Sequence, residues 1–126
     1  MRVLIVEDDF ILLLDLEAIL QKAGADIIGL CRSLDEALPL VEQAEMSVAI
    51  LDVRIGQNSI APVARQLTAR NIPFLFYTGQ IATDPLLSEW SDCRVIEKPA
   101  AAPTIVATIH EVLREHEANS AASQTR

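Results

Sequence analysis

Aromatic residues are scarce in this chain, and so are cysteine, histidine and glycine. Phe, Trp and Tyr make up 4% of the 126 residues, whereas apolar residues make up 51%, so an aliphatic core is expected. The 2 cysteines, Cys31 and Cys93, lie in apolar surroundings and lack the spacing of a metal site. They are therefore expected to be reduced core or near-core residues of a cytoplasmic protein.

Long apolar runs and an excess of basic residues are also missing. No run approaches the ~18 residues of a membrane span. The first residues, from Met1 to Leu4, lead directly into a strand-like pattern and do not have the form of a signal peptide. Lys and Arg number 10 against 18 Asp and Glu, and the net charge of −8 argues against direct nucleic-acid binding.

Short apolar runs alternate with helix-like patterns along the chain. The predicted strands cover residues 2–6, 26–30, 47–51, 72–77 and 93–97. The predicted helices cover residues 10–23, 33–44, 62–70, 84–90 and a last segment that ends at about residue 116. Such alternation predicts a doubly wound α/β fold, with a parallel sheet and helices on both faces. We expect one domain over residues 1–116 and a flexible tail over residues 117–126.

The ends of the predicted helices carry recognisable signals. Asp9 is placed to cap the first helix, and Gly24 follows its end. Ser33 and Glu36 have the spacing of a capping box at the start of the second helix. Pro39 lies inside that helix and should kink it or shift its start.

Polar residues follow four of the predicted strands. Glu7 and Asp8 follow the first strand, Asp52 the third, Thr78 the fourth and Lys98 the fifth. The carboxyl ends of parallel strands share one edge of the sheet, where doubly wound folds build ligand sites. The strand before Asp52 is uniformly apolar, as expected for one buried on both faces. Asp52 is therefore the candidate reactive residue.

Three carboxylates at one edge would repel each other and raise their own pKa values. A divalent cation removes this conflict, and Mg²⁺ suits a site of few carboxylates completed by water and phosphate oxygens. A carboxylate can also attack phosphorus to form an acyl phosphate, and the transferred oxygens then need charge neutralisation. We expect Mg²⁺, the Lys98 ammonium and the Thr78 hydroxyl to supply it.

Each of these residues has a plainer interpretation when taken alone. Asp52 could be a polar strand terminus, Thr78 a β-branched residue before a glycine turn, and Lys98 a solvated charge before a proline. The combination is what makes the pattern specific. Over about residues 2–116 the chain resembles the receiver domains of two-component response regulators, which carry acids, an aspartate, a threonine and a Lys-Pro pair at these strand ends.

The resemblance implies a flavodoxin-like (CheY-like) fold with five strands in the order 2-1-3-4-5 and five helices. It implies phosphorylation of Asp52 by a sensor histidine kinase or a phosphotransfer protein. It also implies Mg²⁺ held by Asp8, by Asp52 and by the backbone carbonyl of Arg54, with Glu7 acting through water. A cis peptide bond between Lys98 and Pro99 is implied as well.

The sequence departs from the family pattern at two places. Receivers usually carry a Tyr or Phe three positions before the lysine, whereas this chain has Val95, so the usual aromatic switch is in question. A polar loop from Arg54 to Ser59 replaces the common Pro-Gly after the aspartate. By resemblance Arg54 and Gln80, two residues after Asp52 and Thr78, are predicted to tune the lifetime of the phosphoryl group.

The segment Pro73–Gly79 resembles that of variant receivers with a Phe-Ala-Thr-Gly-type motif, although Tyr77 replaces the alanine and the motif's later aromatic is missing. Such receivers are often stand-alone, often pair with HWE-type sensor kinases, and have a short or mobile fourth helix. Phe10, Ile11 and Leu14 extend the apolar face of the first helix, either as extra core or as a docking patch for a kinase.

These observations favour a stand-alone receiver, a monomer or weak dimer, with no enzymatic activity beyond its own phosphorylation and dephosphorylation. It would signal through contact with a downstream protein or act as a phosphate sink. The alternative, motivated by Val95, is a binding module that keeps the fold and works without phosphorylation. An aspartyl-phosphate phosphatase would carry a second acid at position 54, where this chain has Arg54.

Overall fold

The computed structural model of the chain describes residues 1–79 and 84–124, with side chains described as far as residue 120. The strands are β1 (Arg2–Val6), β2 (Asp26–Cys31), β3 (Val48–Leu51), β4 (Arg54–Ile55), β5 (Asn58–Ser59), β6 (Phe74–Thr78) and β7 (Val95–Glu97). The helices are α1 (Phe10–Lys22), α2 (Leu34–Gln43), α3 (Ala61–Ala69), α4 (Pro85–Glu89) and α5 (Ala102–Gln124).

The five predicted strands form one parallel sheet in the order β2-β1-β3-β6-β7. This is the predicted order 2-1-3-4-5, and the α/β fold with five helices is confirmed. Buried side chains of α1 and α5 pack on one face of the sheet, whereas those of α2 and α3 pack on the other. The two layers make the sheet interior inaccessible to water and leave its carboxyl edge open.

The central strand β3 shows why the sheet is buried on both faces. All four of its residues are buried. Ala49 and Leu51 pack with α2 and α3, and Val48 and Ile50 pack with α1 and α5. Because neither face meets solvent, the strand is apolar throughout, and the first polar side chain follows where it leaves the core.

The backbone ladder continues one residue beyond three strands and fixes the residues that follow them. The Glu7 N–H donates to the Cys31 carbonyl at 2.9 Å. The Asp52 N–H donates to the Val6 carbonyl at 3.0 Å. The Lys98 N–H donates to the Thr78 carbonyl at 3.0 Å. These side chains therefore start from backbone positions set by the sheet itself.

One local expectation is wrong, and another is narrowed to one of its two alternatives. The segment after Asp52 contains a small antiparallel pair, β4 with β5, rather than an irregular loop throughout, and Gly56 takes a positive φ of 62° in its turn. The second helix begins at Leu34, capped by the Ser33 hydroxyl as predicted, and runs through Pro39. The proline therefore does not shift the start of the helix, and the alternative of a kink stays a prediction. Gly24, with φ of 91°, follows α1 as predicted.

Helix α4 has five residues and is held at both ends. Asp84 caps its start, because Oδ1 accepts the Leu86 N–H at 2.9 Å. Trp90 follows its end, with its ring centroid 6.5 Å from that of Phe74. The Trp90 indole also donates to the Thr68 hydroxyl at 3.4 Å. The predicted short fourth helix is thus attached to α3 and β6.

Helix α5 continues to Gln124, past the predicted domain boundary at residue 116. Among its described side chains, the buried ones are Ile105, Ile109 and Val112, all before that boundary. The flexibility of residues 117–126 stays a prediction. Over the described part of the chain, no helix combines the length and apolar character that a membrane crossing requires.

We expect removal of residues 117–126 to change the free energy of unfolding by less than ~0.5 kcal/mol, because the apolar contacts of α5 precede them. Urea denaturation measures this change. Truncation from Ile109 onward is the control, and the loss of two buried side chains should destabilise the fold by more than ~3 kcal/mol. A loss above ~1 kcal/mol for the shorter truncation would contradict a flexible tail.

Candidate functional site

Lys98 occupies the centre of the carboxyl edge between two acids. Its Nζ lies 2.7 Å from Asp52 Oδ2 and 2.5 Å from Glu7 Oε1. Glu7 is buried, and its Oε2 accepts the Asp9 N–H at 3.1 Å. Glu7 Oε1 pairs with the ammonium by charge but receives no hydrogen bond of acceptable geometry from a described residue. Two acids therefore share one ammonium at this edge of the sheet.

Burial raises the pKa of Glu7 from its ordinary value of 4.5 to about 7, against the lowering effect of the ion pair with Lys98 and of the hydrogen bond from the Asp9 N–H. Burial also acts to lower the pKa of Lys98, but the hydrogen bond to Asp52 and the charge attraction to Asp52 and Glu7 outweigh it, and that pKa is raised. The ammonium therefore stays charged near neutral pH, and Glu7 titrates there in the absence of a metal.

Asp8 enters the site from the other side of the cleft. Its Oδ2 accepts the Gly56 N–H at 2.7 Å, across the turn between β4 and β5. Its backbone carbonyl accepts two hydrogen bonds from the Arg32 guanidinium, at 3.2 and 3.3 Å. The hairpin that the sequence did not predict is thus the element that holds the Asp8 carboxylate.

Carboxylate oxygens of Glu7, Asp8 and Asp52 all lie within 4.8 Å of one another. Hard oxygen ligands at this spacing suit Mg²⁺, and the buried Glu7 Oε1 without a hydrogen bond is the kind of group that a cation would satisfy. The residues present therefore fit the predicted metal. The structure brings these three acids together with Lys98 and Thr78.

An open cleft of about 450 Å³ leads to these groups. Thr78, at the end of β6, lines it together with Asp52 and Lys98. Thr78 is 1% exposed, so its hydroxyl is held in a fixed environment. The peptide bond between Lys98 and Pro99 is cis, as the resemblance implies.

The backbone and the side chain of Arg54 contact different acids, Asp52 and Asp84. Its N–H lies 3.5 Å from Asp52 Oδ1, at the limit of a hydrogen bond, and its Nε donates to Asp84 Oδ2 at 2.9 Å. Gln80, the other residue predicted to tune the phosphoryl lifetime, lies outside the described residues. Val95 is half-buried beside Phe76 in the sheet and packs toward α2 and α3.

Sequence reasoning missed two residues that adjoin the site. The Tyr77 hydroxyl accepts the Ala100 N–H at 3.2 Å, and the Lys98 Nζ lies 5.7 Å from the centre of its ring. Tyr77 replaces the alanine of the Phe-Ala-Thr-Gly-type motif, and this departure from the motif could have indicated that the residue makes contacts of its own. Asp84 was interpreted as a helix start alone, and no sequence pattern joined it to Arg54.

Phe10, Ile11 and Leu14 are 52%, 74% and 42% exposed, so they form a surface patch and do not extend the core. The Arg32 guanidinium lies 5.2 Å from the centre of the Phe10 ring, and the same group donates to the Asp8 carbonyl. The patch is therefore adjacent to the acidic site. This removes the first of the two interpretations of these side chains.

Both cysteines are free thiols, with Cys31 buried and Cys93 half-buried. Burial raises the pKa of each thiol to about 11, with smaller contributions from nearby acids. Thiols with such pKa values carry little thiolate at neutral pH and react slowly. Neither belongs to the acidic site.

Residues 3–110 match the family model of the response regulator receiver domain. SdrG from Sphingomonas melonis, solved in solution, is 33% identical, with 90% of this chain and 96% of that chain covered and a TM-score of 0.78. A CheY-like receiver domain protein from Methanospirillum hungatei is 22% identical, with 94% and 97% covered and a TM-score of 0.80.

The chain is also similar to the phyllosphere-induced regulator PhyR of Methylorubrum extorquens, with 28% identity over 81 residues. The matched region is 62% of this chain and 30% of that protein. The similarity thus spans less than a third of the curated relative.

We expect the stability of the metal-free protein to fall as pH rises from 4.5 to 7. The folded-state pKa of Glu7 is about 7, above its ordinary 4.5, so the folded state binds more protons in this window. Between pH 5 and 8 the wild type should lose roughly 2 to 3 kcal/mol relative to Glu7→Gln. Urea denaturation in a chelating buffer measures both profiles.

The exposed Glu42 provides the matched control, since Glu42→Gln should follow the wild-type profile. Parallel profiles for the wild type and Glu7→Gln would show that Glu7 does not titrate in this range.

Proposed function

The chain belongs to the response regulator receiver domain family, and we propose from this premise that it accepts a phosphoryl group on Asp52. The observation that carries the proposal is the position of the Lys98 ammonium, 2.7 Å from Asp52 Oδ2 in an open cleft. A carboxylate beside a fixed cation is placed to attack phosphorus, because the same cation neutralises charge on the transferred oxygens.

In the proposed step an oxygen of Asp52 forms a bond to phosphorus as the bond to the donor's histidine nitrogen breaks. Lys98 occupies Oδ2 at 2.7 Å, so we expect Oδ1 to attack, since its contact with the Arg54 N–H is long, at 3.5 Å. The Lys98 ammonium then donates a hydrogen bond to one phosphoryl oxygen, and the Thr78 hydroxyl donates to a second one. Water later attacks the phosphorus, the bond to the Asp52 oxygen breaks, and inorganic phosphate leaves the restored carboxylate.

Asp8, Asp52 and the backbone carbonyl of Arg54 would hold Mg²⁺ directly, with Glu7 acting through water. When bound, the ion supplies positive charge to the oxygens of the acids and of the phosphoryl group. It would also favour the ionised form of Glu7, whose pKa burial raises to about 7.

We propose a sensor histidine kinase, of the HWE type, or a phosphotransfer protein as the donor. The exposed patch of Phe10, Ile11 and Leu14 beside Asp8 supports docking of the donor over the acidic site. The proposal places the chain in the cytoplasm as a stand-alone monomer or weak dimer. Its output would be contact with a downstream protein, or removal of phosphate from a shared kinase.

We expect acetyl phosphate with Mg²⁺ to load about one phosphoryl group per wild-type chain and to load Asp52→Asn at least ~100-fold more slowly, since the amide is a poor nucleophile. Phos-tag electrophoresis or intact-mass spectrometry measures loading. Asp9→Asn is the matched control, because Asp9 is exposed and asparagine also caps a helix well.

Equal loading of the wild type and Asp52→Asn would reject Asp52 as the acceptor. If the wild type takes up no phosphoryl group from any donor, and Asp52→Asn is silent in cells, the phosphorylation-independent binding module is the better account. Val95 in place of the usual aromatic is the observation that favours that second candidate.

We also expect simultaneous exchange of Arg54 and Gln80 for alanine to change the decay rate of the phosphorylated protein by about tenfold, or ~1.4 kcal/mol in the barrier. By family resemblance these side chains flank the path of the attacking water. Decay after removal of the donor measures the lifetime. The control is the exchange of Gln21 and Arg114 for alanine, since both are exposed and away from the cleft. An unchanged decay rate in the variant at positions 54 and 80 would refute the role of these two residues in the phosphoryl lifetime.

A further inference from the structure

Asp84 is an acid whose side chain is only 4% exposed, although it stands at the start of a surface helix. Each of its oxygens has one donor among the described residues. Oδ1 accepts the Leu86 N–H at 2.9 Å and caps α4, and Oδ2 accepts Arg54 Nε at 2.9 Å. A carboxylate this buried is strongly destabilised if its cation leaves, so the pair with Arg54 is a persistent one.

Arg54 uses only part of its guanidinium for this contact. Within the described part of the chain, its side chain makes the one hydrogen bond through Nε. The side chain is 43% exposed, and Arg54 is one of the residues that line the cleft with Asp52 and Lys98. Since a guanidinium has five N–H donors in a planar fork, the two terminal nitrogens can bind a second anion while Nε stays on Asp84.

We propose that Asp84 is a positioning residue that holds Arg54 for a phosphoryl group on Asp52. The inference rests on the proposed function and deepens it. Asp84 fixes the orientation of the guanidinium, whose terminal nitrogens then donate to the phosphoryl oxygens. Asp84 and the phosphoryl group would thus bind the same guanidinium through different nitrogens. Phosphorylation of Asp52 would therefore leave the ion pair of Asp84 with Arg54 intact.

The same carboxylate caps α4, so the contact also joins the phosphoryl group to the first turn of that helix. Asp52, Arg54, Asp84 and Leu86 form a continuous series of polar contacts from the acceptor to the helix backbone. A phosphoryl group that fixes Arg54 should also stabilise the cap, because both contacts are made by the one Asp84 carboxylate. The series does not involve Val95.

Equilibrium binding of beryllofluoride with Mg²⁺, a stable mimic of the phosphoryl group, tests the inference. Asp84→Asn keeps an oxygen for the helix cap but loses the charge that holds Arg54, and Arg54→Gln removes the guanidinium. Each variant should bind the mimic about fivefold more weakly, as expected for one partly exposed ion pair. The double variant should bind no more weakly than Arg54→Gln, because Asp84 acts through Arg54.

Glu89→Gln is the matched control, since it breaks the exposed ion pair of Arg65 with α4, at 3.5 Å, which lies away from Asp52. It should leave the affinity unchanged. Hydrogen exchange provides a second readout: the mimic should slow exchange of the Leu86 amide in the wild type and not in Arg54→Gln. A role of Asp84 in folding alone would not produce this dependence on Arg54.

Three results would overturn the inference while leaving the proposed function in place. They are wild-type affinity in Asp84→Asn, tighter binding by that variant, or additive losses in the double variant. Tighter binding would mean that Asp84 competes with the phosphoryl group for Arg54. If the wild type itself fails to bind the mimic, the proposed function is rejected, and the inference with it.

Discussion

The Lys98 ammonium is the contact on which the rest of the site depends. It lies between two carboxylates at 2.7 and 2.5 Å, one of them on a glutamate that is almost fully buried. Removing it would leave Glu7 and Asp52 facing each other at the edge of an apolar sheet, with Asp8 close by. Burial disfavours the charged form of Glu7, and the ammonium compensates only part of this. Three carboxylates beside one ammonium leave net negative charge at this edge, which suits a cation.

The sheet provides the rigidity that such a charge arrangement needs. The backbone bonds of Glu7, Asp52 and Lys98 continue the ladders of β1, β3 and β7 beyond the strands. The backbones of Glu7, Asp52 and Lys98 therefore cannot move apart without breaking the hydrogen bonds that extend these ladders. In contrast, Asp8 and Arg54 belong to the loops and the small hairpin around the cleft, and they are where the site can adjust.

The sequence predicted the features that follow from periodicity and strand ends. Five apolar runs predicted the parallel sheet, and the resemblance to receiver domains implied its strand order. The polar residues after four of these runs indicated the acids, Thr78 and Lys98. The β4–β5 hairpin was missed because two-residue strands leave no periodic pattern. The pair of Arg54 with Asp84 was missed because it joins residues 30 positions apart, in loops whose spacing is set only by the folded sheet. The Tyr77 hydroxyl was missed for the same reason.

The position of Arg32 has a consequence for how relatives of this chain can diverge. Phe10, Ile11 and Leu14 project into solvent and contribute little to the core, so substitutions there change the surface offered to partners with little loss of stability. Arg32 contacts both that surface and the Asp8 carbonyl. Duplicated copies could therefore acquire separate partners through the three apolar positions while selection keeps Arg32 constant. Copies with separate partners would then differ at positions 10, 11 and 14 and share Arg32.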